Sequence, residues 1–80
     1  MKLPRNLSGS DLIKFLEKKL GYRFVNQEGS HICLETNEPS HQRIAIPNHK
    51  VLRIGTLNVI LRSISRHKGI TKEEILDLLD

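Results

Sequence analysis

The sequence predicts an α+β two-layer sandwich, with elements in the order α-β-β-β-α and a short extra helix at the C-terminus. Three observations predict it. Two separated stretches carry apolar residues at helical spacing, and three short alternating segments lie between them. Each of the two longer helices has a single apolar stripe, and one face of a small antiparallel sheet is a surface that buries two such stripes.

The first helix is expected over Ser8–Leu20. Leu12, Leu16 and Leu20 repeat along one side, and Ile13 widens the stripe. Ser8 or Ser10 can cap its start, Asp11 suits the positive end of the helix dipole, and Gly21 closes the helix. "YRFVNQ" then reads as a strand that ends at the turn Gln27-Glu28-Gly29. In Ser30–Thr36, Ile32 and Leu34 share one face while His31, Cys33 and Glu35 share the other. "NEPS" is a loop, and "QRIAIP" is a third strand with Ile44 and Ile46 inward. Short turns between the three strands argue for an antiparallel meander.

A loop with Asn48, His49 and Lys50 leads to the second helix, for which Thr56 is the expected cap. Leu57, Ile60, Leu61 and Ile64 form its buried stripe, and Gly69 stops it. Thr71 and Glu74 have the spacing of a capping box, with Ile75, Leu78 and Leu79 as the stripe of the last helix.

Composition narrows the function. A chain of 80 residues is one small domain, 1–80, that buries only roughly 60–65% of its unfolded surface. A deep cofactor pocket is not expected, and no cofactor is assigned. Thirteen Lys and Arg against nine Asp and Glu give a net charge of +4. Glu73, Glu74, Asp77 and Asp80 crowd the end, so the rest is more basic still, which suits a polyanion partner. The single cysteine, Cys33, excludes an internal disulfide and fits a reducing cytoplasm. No apolar run approaches the roughly 20 residues that cross a bilayer, and "MKLPRNLSGSD" lacks the apolar core of a signal peptide. No Gly-rich phosphate loop and no nucleophile elbow occur.

The residues able to carry chemistry are few. His31 lies just past Gly29 and Ser30 at a strand entrance, on the open face, and histidine changes charge near neutral pH. Glycine there permits a tight turn and close approach of a ligand. His31, Cys33, His41 and His49 could be weighed as zinc ligands, but His-x-Cys is not a structural zinc spacing, and no metal is assigned. Lys14, Lys18, Lys19, Arg23, Arg43, Lys50, Arg53 and Arg62 come from several elements. Lys50 and Arg53 stand out, beside His49 and before the second helix.

The ordered fragments "DLIKFLEKKLGYRFV", "GSH", "IAIPNH" and "GTLNVILRSI" resemble the HicA-type (YcfA-like) mRNA interferase toxins of prokaryotic toxin–antitoxin systems. The resemblance implies a double-stranded-RNA-binding-like fold and a metal-independent endoribonuclease held inactive by a HicB-type antitoxin. By the same resemblance the catalytic histidine falls on His31, with Gly29 and Ser30 shaping its entrance. The Pro-x-His pattern falls on Pro47 and His49, and the Gly-Thr-Leu helix start falls on Gly55, Thr56 and Leu57, the last three read as fold determinants. Many members carry two successive histidines. Here the second position is Ile32, which strand parity points into the core. RNA cleavage without metal needs a group that moves a proton at the 2′-hydroxyl or the leaving oxygen, work a histidine can do. Lys50, Arg53 and His49 are the expected RNA contacts, and His49 is also a candidate second acid–base group. The alternative is a non-catalytic RNA- or protein-binding module on the same fold.

Overall fold

The computed structural model describes residues 6–79. Asp80 of the acidic cluster and the first five residues of "MKLPRNLSGSD" lie outside them. The elements are α1 (Gly9–Lys19), β1 (Arg23–Glu28), β2 (His31–Thr36), β3 (Gln42–Pro47), α2 (Ile54–Lys68) and α3 (Lys72–Leu79). The strands form an antiparallel meander in the order β1-β2-β3. The expected α+β order is therefore present.

The two longer helices bury the sides that their spacing marks. Leu12, Ile13, Phe15 and Leu16 of α1 meet Leu57, Ile60, Leu61 and Ile64 of α2 in one core with Leu34 and Ile46 of the sheet. Leu34 and Ile46 are fully buried, and Ile32 and Ile44 pack partly buried against the same core. Strand parity thus holds: one face of β2 and β3 is covered by helices. Complete burial of a Leu or Ile side chain contributes about 1.5–3 kcal/mol, so this shared face supplies most of the driving force.

The helix ends follow local chemistry with one exception. Ser8 Oγ accepts the Asp11 N–H at 3.0 Å and caps α1. Thr71 and Glu74 close the expected box, each accepting the other's backbone N–H at 3.0 Å. Gly69 ends α2 in the left-handed region, φ 70°. Thr56, however, is not the cap of α2. The helix begins at Ile54 with Arg53 as N-cap and no side-chain cap bond, and the Arg53 carbonyl accepts the first helical N–H, from Leu57. The stripe of α3 is also rotated. Ile75 and Leu76 are buried, Leu79 is partly buried, and Leu78 is 45% exposed.

One contact joins the N-terminus of α1 to the end of β3. Gly9 is buried, and a Cβ built on it would stand 2.0 Å from the Pro47 carbonyl oxygen. No side chain fits there. The close approach lets the Gly9 N–H donate to the His49 carbonyl at 2.9 Å. Two more backbone bonds complete the junction: Leu52 N–H to the Leu7 carbonyl at 2.8 Å, and Asn48 N–H to the Ser30 carbonyl at 2.6 Å.

A polar cluster holds the other end of the sheet to α2. The Tyr22 hydroxyl donates to Gln42 Oε1 at 2.5 Å, and Gln42 Nε2 donates to the Ser63 hydroxyl and carbonyl at 3.1 and 3.3 Å. Lys68 Nζ lies 4.9 Å from the centre of the Tyr22 ring and donates to Thr36 Oγ1 and the Glu38 carbonyl. Burial lowers the Lys68 pKa, partly opposed by Glu38. Burial pushes the Tyr22 phenol up from 10.0 to about 12.

Four outcomes are expected. Gly9→Ala should destabilise the fold by about 1–3 kcal/mol or more, lowering Tm by about 4–8 °C per kcal/mol in thermal unfolding. Gly55→Ala is the contrast. It lies in the first turn of α2 with open space around the added methyl, so Tm should be held or raised. Tyr22 sets an alkaline limit. Its folded pKa is raised, so its contribution is complete below pH 10 and is lost as pH climbs towards 12. Denaturant unfolding across that window should lose stability on the order of 2 kcal/mol, and Tyr22→Phe should flatten that decline.

Candidate active site

His31 enters β2 from a two-residue hairpin turn. Glu28 and His31 are the last paired residues, leaving Gly29 and Ser30 as the connection. Gly29 has φ 58° and Ser30 does not share the positive φ, the pattern of a type II′ turn, in which glycine is favoured at the first position. The turn is held locally by Gln27 Nε2, which donates to the Gly29 carbonyl at 3.0 Å. It is one residue later than the expected Gln27-Glu28-Gly29, and Ser30 belongs to it rather than to the strand.

The register arranges the open face in rows across the three strands. Glu28, His31 and Pro47 form one, Asn26, Cys33 and Ala45 the next, and Arg23, Glu35 and Arg43 a third. Directly opposed residues share a face with Cβ atoms about 4.5–5.5 Å apart. His31 is exposed, with a carboxylate-bearing residue on one side and the Pro47 ring on the other. Small residues, Cys33 and Ala45, floor the space between this row and the third.

The junction around Gly9 brings the other expected residues towards this end of the sheet. Ser30 is bonded through its carbonyl to Asn48, next to His49, whose own carbonyl is held by Gly9. The His49 and Lys50 side chains are exposed, and Arg53 is exposed at the N-cap of α2. The first turn of α2 has no acidic residue and no side-chain cap. Its N–H groups and the two basic side chains therefore concentrate positive potential beside the loop. Pro47 and Leu57 serve the frame: Pro47 abuts Gly9, and Leu57 is buried, whereas Gly55 is exposed with open space around it.

The third row is a charge cluster that residue spacing did not reveal. Arg23 Nη2 lies 2.9 Å from Glu35 Oε1, and Arg43 Nη2 lies 3.7 Å from Oε2. His41 Nε2 is 3.2 Å from Oε2, a contact in which the ring nitrogen donates because a carboxylate accepts. The Arg23 hydrogen bond first, then that of His41, lowers the Glu35 pKa below the usual carboxylate value. A bulge makes the first of these pairs possible. The hairpin count alone would set Phe24 opposite Glu35, but the register shifts between Phe24 and Asn26 and brings Arg23 there instead.

The possible zinc ligands are not gathered. His41 pairs with Glu35, four residues and roughly 13 Å along β2 from His31. Among the described residues no group of three His, Cys, Asp or Glu side chains is placed to hold a metal ion. Nor is any helix among them long and apolar enough to cross a membrane.

Comparison with known proteins gives a family for the chain. A family model described as HicA toxin of bacterial toxin–antitoxin matches residues 9–65, which include the hairpin turn, His31, the Asn48–Lys50 loop and the start of α2. No curated protein and no solved structure matches the chain.

The Glu35 cluster gives an acid-side prediction. Its folded pKa is lowered, so its contribution is present above the ordinary carboxylate range and is lost as pH falls through the folded value. Glu35→Gln should therefore lower Tm at neutral pH, and the gap to the parent should close under acid. A gap that stays constant on acidification would count against the cluster.

Proposed function

The chain belongs to the HicA toxin family of bacterial toxin–antitoxin systems, and from that premise we propose that it is an mRNA-cleaving endoribonuclease whose acid–base group is His31. The observation that carries the reading is the placement of His31. It is an exposed histidine on the uncovered sheet face, fixed at a glycine turn that is itself bonded to the basic loop.

The chemistry needs little more. The 2′-oxygen of the substrate loses its proton and attacks the adjacent phosphorus. The bond from phosphorus to the 5′-oxygen breaks, and that oxygen gains a proton, leaving a cyclic phosphate and a free 5′-hydroxyl. His31 serves one of the two proton transfers. Glu28, directly opposite it in the register, and His49, on the bonded loop, are the candidates for the other. Lys50 and Arg53, with the uncapped start of α2, supply positive charge for the scissile phosphate as its charge develops. Ile32 takes no part, because its side chain packs against the core.

Family membership also implies an antitoxin partner. In this reading a HicB-type protein holds the toxin inactive, and the reaction takes place in the cytoplasm, where the mRNA is. The alternative, a binding module without catalysis, is separated by the same experiment.

Purified protein incubated with end-labelled single-stranded RNA should produce discrete fragments, and His31→Ala should reduce cleavage by about 10²–10⁴-fold with an unchanged circular dichroism spectrum. The same substitution should relieve growth arrest on expression. EDTA should leave the rate unchanged. RNA that is bound but left intact by the parent would establish the binding module instead.

A further inference from the structure

A second basic feature lies away from His31. The outer side of α2 and the start of β3 enclose an open groove of ≈ 550 Å³, lined by Gln42, Val59, Arg62, Ser63, Arg66 and His67. β3 is an edge strand, and its first residue, Gln42, is the strand residue that lines the groove. Arg62 and Arg66 are exposed, are one helical turn apart with Cβ atoms about 6 Å from each other, and have no ion-pair partner among the described residues. No carboxylate lines the groove. The smaller cavity of ≈ 230 Å³ at the other side of the sheet differs in this, since Glu35 and Glu38 line it together with Arg23.

We propose that this groove is a second RNA subsite, in which Arg62 and Arg66 hold the phosphates of the strand that flanks the cleavage point. The proposal rests on the reading that the protein acts on RNA, and adds where the rest of the substrate lies. Gln42 and Pro47 bound β3, and Pro47 is the neighbour of His31, so the groove begins roughly 17 Å along the strand from the His31 row. Exposed Arg43 stands on the open face between the two.

The floor of the groove favours phosphate contact over base reading. Both ends of the Gln42 amide are occupied, Oε1 by Tyr22 and Nε2 by Ser63. His67 Nε2 is engaged at 2.8 Å with the Ser40 carbonyl. That leaves the two guanidinium groups as the free cationic features, and a contact they make with phosphate carries no sequence information. A protein partner is less well served, because the lining offers one exposed apolar side chain, Val59, where protein interfaces centre on aromatic and apolar groups. Helix-dipole complementarity accounts for Arg66 in the last turn, but not for Arg62, which lies before it.

The test is binding of a 2′-O-methyl oligonucleotide of about 12 nucleotides, which lacks the nucleophilic hydroxyl and stays intact whatever the role of His31. Its affinity should fall at least tenfold in Arg62→Gln/Arg66→Gln. The slope of log K against log salt should become shallower by about 1.4, the loss of two single-strand phosphate contacts. With cleavable RNA the loss should appear in KM more than in kcat. Lys18→Gln/Lys19→Gln removes equal charge from exposed positions on α1 and should change affinity much less. Equal losses in the two double variants, or an unchanged slope in the groove variant with Tm preserved, would overturn the subsite. So would a groove variant that keeps its RNA affinity but no longer binds its antitoxin, since that marks a protein interface. If His31→Ala still cleaves while the groove variant loses affinity and slope, the catalytic reading fails and the subsite stands.

Discussion

The arrangement of the candidate site depends on the absence of a side chain at Gly9. The α1 backbone comes so close to the Pro47 carbonyl that a methyl group would overlap it. That approach aligns the Gly9 N–H with the His49 carbonyl, and the loop between β3 and α2 is then held on a second side by the Ser30 carbonyl. Three segments far apart in sequence meet through main-chain bonds whose geometry is indifferent to the side chains they carry. The exposed groups at His31, His49 and Lys50 are thus free to vary in chemistry without loosening the frame that presents them. This is the usual division between a rigid scaffold and the functional loops placed on it.

The sheet divides its labour between two faces and two ends. Its helix-covered face supplies the apolar area, and its other face is left for chemistry and charge. At one end His31 stands beside the junction. At the other, Tyr22, Gln42, Ser63, Thr36 and Lys68 join the strands to α2 through side chains. Tyr22 and Thr36 of the latter set are buried and the other three half-buried, and no buried side-chain polar atom among the described residues lacks a partner. The set anchors α2 while the surface of that helix facing away from the core stays available for the basic groove.

Period and parity carried the reading from sequence as far as they could. Leu57, Ile60, Leu61 and Ile64 are all buried, and alternation in β2 put Ile32 and Leu34 inward with His31 outward. Where two local patterns compete, the pattern is not enough. In α3, Ile75 and Leu76 fit a helical stripe as well as Ile75 and Leu78 do, and the choice is made by packing. Thr56 has the chemistry of a cap, yet the preceding loop is fixed by the Leu52 bond to Leu7, so the backbone turns helical before Thr56 is reached. The Gly9 contact, the bulge that pairs Arg23 with Glu35, and the groove lined by Gln42 and Arg62 join residues whose relation exists only in the folded chain. No spacing in the sequence announces them.

The two-residue turn has a consequence for how such a chain can diverge. Register in a hairpin is set by the length of its loop, and a slip of one residue exchanges the two faces of a strand. With Gly29 and Ser30 as the whole connection, an inserted residue must be absorbed as a bulge or else carry His31 to the helix side. The five-residue link from Asn37 to His41 at the opposite end of β2 bears on the register of β3 instead. Changes of length there alter peripheral polar contacts and leave the direction of His31 alone. Among descendants of this sequence, insertions and deletions should collect at that end, while the short turn keeps its length.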